Sequence, residues 1–176
     1  MVQRHEIFDR LEVEHLVYCS VVIDRKRDGR GGATVRRQAG ADLGPGELEW
    51  LLRWEAASTA PGFLETLLEA RPIASPHARL RLSHGMGPGE WVAEECVLST
   101  RVPFIAEAKC PVWAAGLVAQ CDGLLTVREQ LQRLKQAGSV PDDAPEAEFA
   151  RMVRTLLAGG FLHLPDRPLP GSGSAA

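Results

Sequence analysis

The side chains in this sequence best suited to chemistry are five histidines, four cysteines, two glycine clusters and one group of basic residues. His77 and His84 fall in an alternating segment at odd separation, so a strand there points them to opposite faces and they cannot share a ligand. His5, His15 and His163 sit at the edges of predicted elements. No serine, cysteine or carboxylate is placed beside them as an activated nucleophile requires. Cys19, Cys96, Cys110 and Cys121 form no Cys-x-x-Cys pair and lie mostly in apolar runs, which reads as reduced, partly buried thiols rather than zinc ligands. Gly29-x-Gly31-Gly32 and Gly85-x-Gly87-x-Gly89 each lead from one predicted strand into another. A phosphate-cradling loop leads instead from a strand into a helix N-terminus, so hairpin turns are expected at both.

The basic group comprises Arg25, Lys26, Arg27, Arg30, Arg36 and Arg37. Its density suits contact with a substrate or with nucleic-acid phosphates, and the plainer reading is a solvated hairpin tip. Further along, between residues 107 and 154, six basic side chains face seven acidic ones, and a DNA-reading helix normally brings excess positive charge. DNA binding is therefore not expected.

These residues must be held by a mixed set of elements. Ile7, Phe8 and Leu11 predict a helix over residues 3–11. Residues 15–23 are apolar on both faces, as in a strand buried inside a covered sheet, and a short second strand is predicted at 33–37. Two strands are too few for a stable sheet in water, so that sheet reads as incomplete. After Gly44-Pro45-Gly46 a helix over 47–57 presents Leu48, Leu51, Leu52 and Ala56, with Trp50 and Trp54 on its flank. A second helix spans 61–70 and ends before Pro72. Residues 77–84 and 90–102 predict a hairpin. Helices follow over 112–121, from Thr126 to Gly138, and over 145–158, with a strand at 161–164. Thr126-Val127-Arg128-Glu129 matches a capping box. Helix, capped helix, helix and strand in so short a span predict a winged-helix-like module.

With 176 residues and a formal net charge of -3, the chain has room for one substantial domain or two small ones and no general drive toward nucleic acid or anionic membrane. No apolar run is long enough for a transmembrane helix, and the first residues contain no signal-peptide core. A cytoplasmic protein with no membrane partner is expected.

Residues 11–26, a tyrosine-containing apolar strand running into arginines, resemble the late strand of class I S-adenosylmethionine-dependent methyltransferases of the glutamine- or ribosomal-RNA-modifying subset. Cys121-Asp122-Gly123-Leu124-Leu125-Thr126-Val127 is similar to a signature in the winged-helix-like C-terminal extension of some bacterial members. The family's glycine loop, acidic ribose ligand and Asn-Pro-Pro-Tyr-type motif have no counterpart here, so the resemblance carries over no catalytic, cofactor-binding or metal-binding residue. It implies an α+β chain: residues 1–43 supply terminal elements of a methyltransferase-type sheet. Residues 44–105 supply a helical pair and hairpin and residues 106–165 the winged-helix-like module; the Pro/Gly/Ser-rich composition of 166–176 separately predicts a disordered tail. The implied role is a non-catalytic accessory part of a methyltransferase, presenting a protein or RNA substrate or stabilising the catalytic domain, which binds the S-adenosylmethionine. Residues 121–164 also resemble the small winged-helix domains that recognise leader peptides, which implies a stand-alone peptide-binding module as the alternative. In that mode the peptide adds as a strand to an exposed sheet edge.

Overall fold

A computed structural model of the chain describes residues 35–40 and 43–165. The predicted helix at 3–11, the strand at 15–23 and the tail at 166–176 lie outside the described residues. The chain divides between Thr34 and Val35, and everything described belongs to the second unit. Its class is mixed α+β with an open sheet, as expected.

The order is β1 (Gln38–Ala39), α1 (Pro45–Ser58), α2 (Phe63–Leu68), β2 (Ile73–Ala74), β3 (Arg79–Met86), β4 (Trp91–Thr100), β5 (Phe104–Lys109), α3 (Val112–Gln120), α4 (Val127–Gln136), α5 (Glu146–Ala158) and β6 (Leu162–His163). The larger sheet has the order β1-β5-β4-β3, and β2 pairs with β6 in a second, two-stranded sheet. The β3–β4 hairpin is present as predicted. Its turn is closed by the Gly87 N–H donating to the Glu90 carbonyl at 2.8 Å.

Four expectations are corrected. The short strand predicted at 33–37 is not formed over 35–37; it lies at Gln38–Ala39 and pairs antiparallel with Ile105 and Phe104. Gly40 makes this approach feasible, because a Cβ there would stand 1.9 Å from the Arg101 carbonyl oxygen. The second correction is β5, a strand absent from the predicted elements, which pass from the hairpin directly to the helix at 112. Its alternation is plain in the structure, with Phe104, Ala106 and Ala108 turned to the core and Ile105, Glu107 and Lys109 outward.

The third correction concerns α1. Its inward face is not Leu48, Leu51, Leu52 and Ala56 but Trp50, Trp54 and Ala57. Trp54 is 1% exposed, stacks on Trp50 with ring centroids 5.6 Å apart, and meets Phe63 edge-on at 5.4 Å. An indole buries more surface than a leucine, and a favourable aromatic pair adds about 0.5–1.5 kcal/mol. That is enough to rotate the helix and leave Leu52 exposed.

The fourth is the boundary at 105/106, which falls inside β5. A single core joins Trp54, Phe63, Leu67 and Leu68 to Leu117, Leu131, Phe149, Val153 and Leu162. The strand after α5 finds its partner in β2, upstream of the hairpin. The three C-terminal helices thus depend on residues 63–74 to bury their faces.

Candidate functional site

Of the predicted basic cluster, Arg25, Lys26, Arg27 and Arg30 lie outside the described residues. Arg36 is exposed ahead of β1. Arg37 is bound within the chain: its Nη2 meets Glu55 Oε1 of α1 at 3.2 Å and its Nη1 donates to the Arg36 carbonyl. Arg37 therefore links the start of β1 to α1 through a surface ion pair, while Arg36 stays exposed.

The signature from Cys121 to Val127 proves to be a connector. Ile73 and Asp122 form an antiparallel bridge, and three donors and acceptors extend it. The Ala74 N–H donates to the Cys121 carbonyl at 2.7 Å, the Gly123 N–H to the Pro72 carbonyl at 3.1 Å and the Val127 N–H to the Ala70 carbonyl at 2.9 Å. Asp122 Oδ1 accepts the Leu124 N–H, turning the chain, and Gly123 takes φ 84° directly beneath Ile73. Thr126 caps α4: its hydroxyl accepts from the Glu129 N–H, and Glu129 Oε2 accepts from the Thr126 N–H at 2.7 Å. These hydrogen bonds, the backbone bond foremost, hold the Glu129 carboxyl below its ordinary value. Cys121 is buried, and burial pushes its thiol up to about 12. The motif's residues hold α2, β2 and α4 together: Cys121 and Thr126 are buried, and the exposed Asp122 commits one carboxylate oxygen to the Leu124 N–H.

The feature most open to a partner is the outer edge of β3. Among the described residues β3 has a neighbour on one side only. Its side chains alternate cleanly. Leu80, Leu82, His84 and Met86 share the face on which Cys96 and Leu98 are buried, whereas Arg79, Arg81 and Ser83 point the other way. The bulge that shifts the register after Ser83 lies on β4, so the alternation of β3 is unbroken. α3 packs against β4, and β3 overhangs as the outermost strand. Leu80 is consequently 56% exposed and Leu82 39%, although both lie on the core side of the sheet. Met86 and Trp91 extend the apolar strip to the hairpin tip. His84 shares this strip. His77 precedes β3 in a turn whose N–H meets Ser75 Oγ.

Backbone pairing follows from the register. The Cys110 N–H donates to the Cys96 carbonyl, so Cys96 directs its backbone toward β5 and its neighbour Val97 toward β3. Arg81, opposite Val97, is therefore bonded to β4, and Leu80 and Leu82 direct their N–H and carbonyl groups outward from the sheet. One edge thus combines backbone groups that are unpaired among the described residues with apolar side chains at the same positions.

On the opposite face Arg81 reaches across β4 to Glu107 of β5 at 3.0 Å, while Lys109 meets Glu95 at 2.6 Å. The Lys109 ammonium holds the Glu95 carboxyl below its usual range. Arg79 places its donors on the Pro76 and Ala78 carbonyls. Beside the edge this face thus carries Arg79, and Arg81 with its charge shared with Glu107.

The hairpin was legible in the sequence, but the openness of its outer edge was not; only the pairing of β4 with β5 reveals it. Among the described residues no group of three or more histidines, cysteines and carboxylates is arranged to hold a metal ion, and no helix is long and apolar enough to cross a membrane. Comparison of the sequence with protein-family models and with curated proteins gives no match.

Proposed function

We propose that this chain is a non-catalytic accessory module that docks an extended segment of a protein substrate along the outer edge of β3. The observation carrying this reading is the coincidence at Leu80 and Leu82 of outward-directed backbone groups with exposed apolar side chains. Strand addition obtains affinity from main-chain hydrogen bonds and specificity from alternate side chains. Residues of the incoming strand beside Leu80 and Leu82 would be apolar. Those beside Arg79 and Arg81 would be acidic, and like charges directly opposite would be disfavoured. The resemblance around Cys121–Val127 supports placing this docking next to an S-adenosylmethionine-dependent methyltransferase domain, which would hold the cofactor and perform the transfer.

The continuous core from Trp54 to Leu162 favours a second reading, in which the module works as a stand-alone peptide binder. Both readings share the β3 edge. A monomeric chain that unfolds cooperatively and is unaffected by a methyltransferase domain favours the second. Stimulation of methyl transfer to a docked substrate favours the first. Micromolar binding of S-adenosylmethionine to this chain in calorimetry would overturn the non-catalytic claim.

The edge itself is tested with two synthetic octapeptides, one alternating valine with glutamate and one alternating valine with lysine. The glutamate peptide is expected to slow amide exchange at Leu80 and Leu82, leaving Arg81, already paired with β4, unchanged. The lysine peptide is expected to give no protection. Leu82→Pro removes an edge N–H without breaking the β3–β4 ladder and should weaken binding about tenfold, the equivalent of one net hydrogen bond. Leu82→Thr, which keeps the backbone donor, should weaken it less. Equal protection by both peptides, or none by either, would refute the assignment.

A further inference from the structure

The larger sheet contains a pair of thiols that the docking edge does not use. Cys96 lies on β4, and Cys110 follows the last residue of β5. Val97 pairs with Lys109, so the two cysteines stand directly opposite, and the Cys110 N–H donates to the Cys96 carbonyl at 3.0 Å. Their sulfurs are 3.7 Å apart. We infer that Cys96 and Cys110 form a cross-strand dithiol that a low-molecular-weight disulfide converts into an intramolecular disulfide, stapling β4 to β5.

The geometry satisfies the main requirement. Directly opposed, hydrogen-bonded residues of antiparallel strands have Cα atoms about 5.5 Å apart, within the span that disulfides bridge. Closing from 3.7 Å to a bond of about 2.05 Å therefore takes side-chain rotation together with a small local approach of the two strands. Opposed Cβ atoms of a hydrogen-bonded pair stand somewhat farther apart than the roughly 3.8 Å a disulfide prefers. The two thiols are also unequal in access. Cys110 is half-buried and Cys96 is buried, which assigns the first encounter with oxidant to Cys110.

The reaction balances in two exchanges. The Cys110 thiolate attacks one sulfur of the small disulfide RSSR, breaks its S–S bond and releases RS⁻, leaving Cys110 joined to SR. The Cys96 thiolate then attacks Cys110 Sγ, breaks the mixed S–S bond and releases the second RS⁻. Two protein thiols lose two protons and two electrons, and RSSR is reduced to two RSH. Cys121 is buried among α2, α3 and α4 and has no thiol opposite it among the described residues, so it serves as an internal control.

The test incubates the full chain with oxidised glutathione, quenches with acid and maps the peptides by mass. A peptide cross-linked through Cys96 and Cys110, two hydrogens lighter than its reduced parts, is the expected product. Cys96→Ala, which leaves the half-buried thiol without a resolving partner, should instead accumulate a stable glutathione adduct on Cys110. Cys110→Ser should leave Cys96 unmodified. If the unaltered chain retains a glutathione adduct on Cys110, or both thiols stay alkylatable after prolonged incubation, the inference fails. A preserved far-ultraviolet spectrum in each variant excludes unfolding as the cause, and every arm reads the disulfide independently of peptide docking.

Discussion

Thr126→Ala tests whether the signature around Cys121 serves the fold or a ligand. The Thr126 hydroxyl accepts the Glu129 N–H at 3.1 Å and lies 3.0 Å from Glu129 Oε2, to which it donates, so one oxygen satisfies two partners. Thr126 is only 8% exposed, which limits replacement by water. Losing an N-cap costs about 0.5–2 kcal/mol, and leaving a shielded donor unpaired places this one in the upper part, about 1–2 kcal/mol. For a domain of this size that lowers the melting temperature by roughly 3–8 °C. Thr126→Ser keeps the oxygen and should recover most of the loss.

The effect also depends on pH. The Glu129 carboxyl is held below its ordinary value by the Thr126 N–H and then by the hydroxyl. A depressed carboxyl contributes stability above its unfolded pKa, about 4.3, and loses it as pH falls through the folded value. Because the alanine variant lacks the hydroxyl, it has less of this contribution to lose, and its deficit should narrow on acidification below about pH 4. Urea unfolding followed by tryptophan fluorescence at neutral and acid pH measures both effects. A variant within about 0.3 kcal/mol of the parent at neutral pH, or a serine variant as damaged as the alanine, would refute the structural account of the motif. A loss of peptide protection at β3 with stability unchanged would reassign the motif to ligand binding.

Three further outcomes are expected. Trp54→Ala removes a fully buried ring that contacts both Trp50 and Phe63, and should cost about 3–5 kcal/mol in chemical denaturation. Gly123→Ala forces a Cβ to within 3.0 Å of the Ile73 side chain at φ 84°; a loss of about 1–3 kcal/mol is expected, measured by thermal melting. Burial and the neighbouring Cys96 push the Cys110 thiol up to about 11. Its alkylation by iodoacetamide should therefore accelerate about tenfold per pH unit from neutral up to pH 9, as the thiolate fraction does; a rate that levels off below pH 9 would contradict that environment.

Local chemistry determined much of what the sequence showed. The capping box at Thr126 and Glu129, the alternation of residues 79–86, and the apolar spacing of Leu131, Leu134, Phe149 and Val153 act within a turn or a strand. Their consequences were readable from neighbours in the chain. The hairpin and the three C-terminal helices appear where that logic puts them. Tertiary packing decided the rest. Trp50 and Trp54 could occupy the flank of α1 or its buried face, and only Phe63 and the core beside it select the latter. β5 has a readable alternation but becomes a strand by pairing with β4 and β1. β6 needs β2, about ninety residues earlier in the chain. The candidate docking edge belongs to the same class. Leu80 and Leu82 are ordinary inward-facing strand residues by sequence. Their exposure exists because β4 gives its second edge to β5 and the helical layer packs on the inner strands, and the order of strands in a sheet is set by contacts remote in sequence.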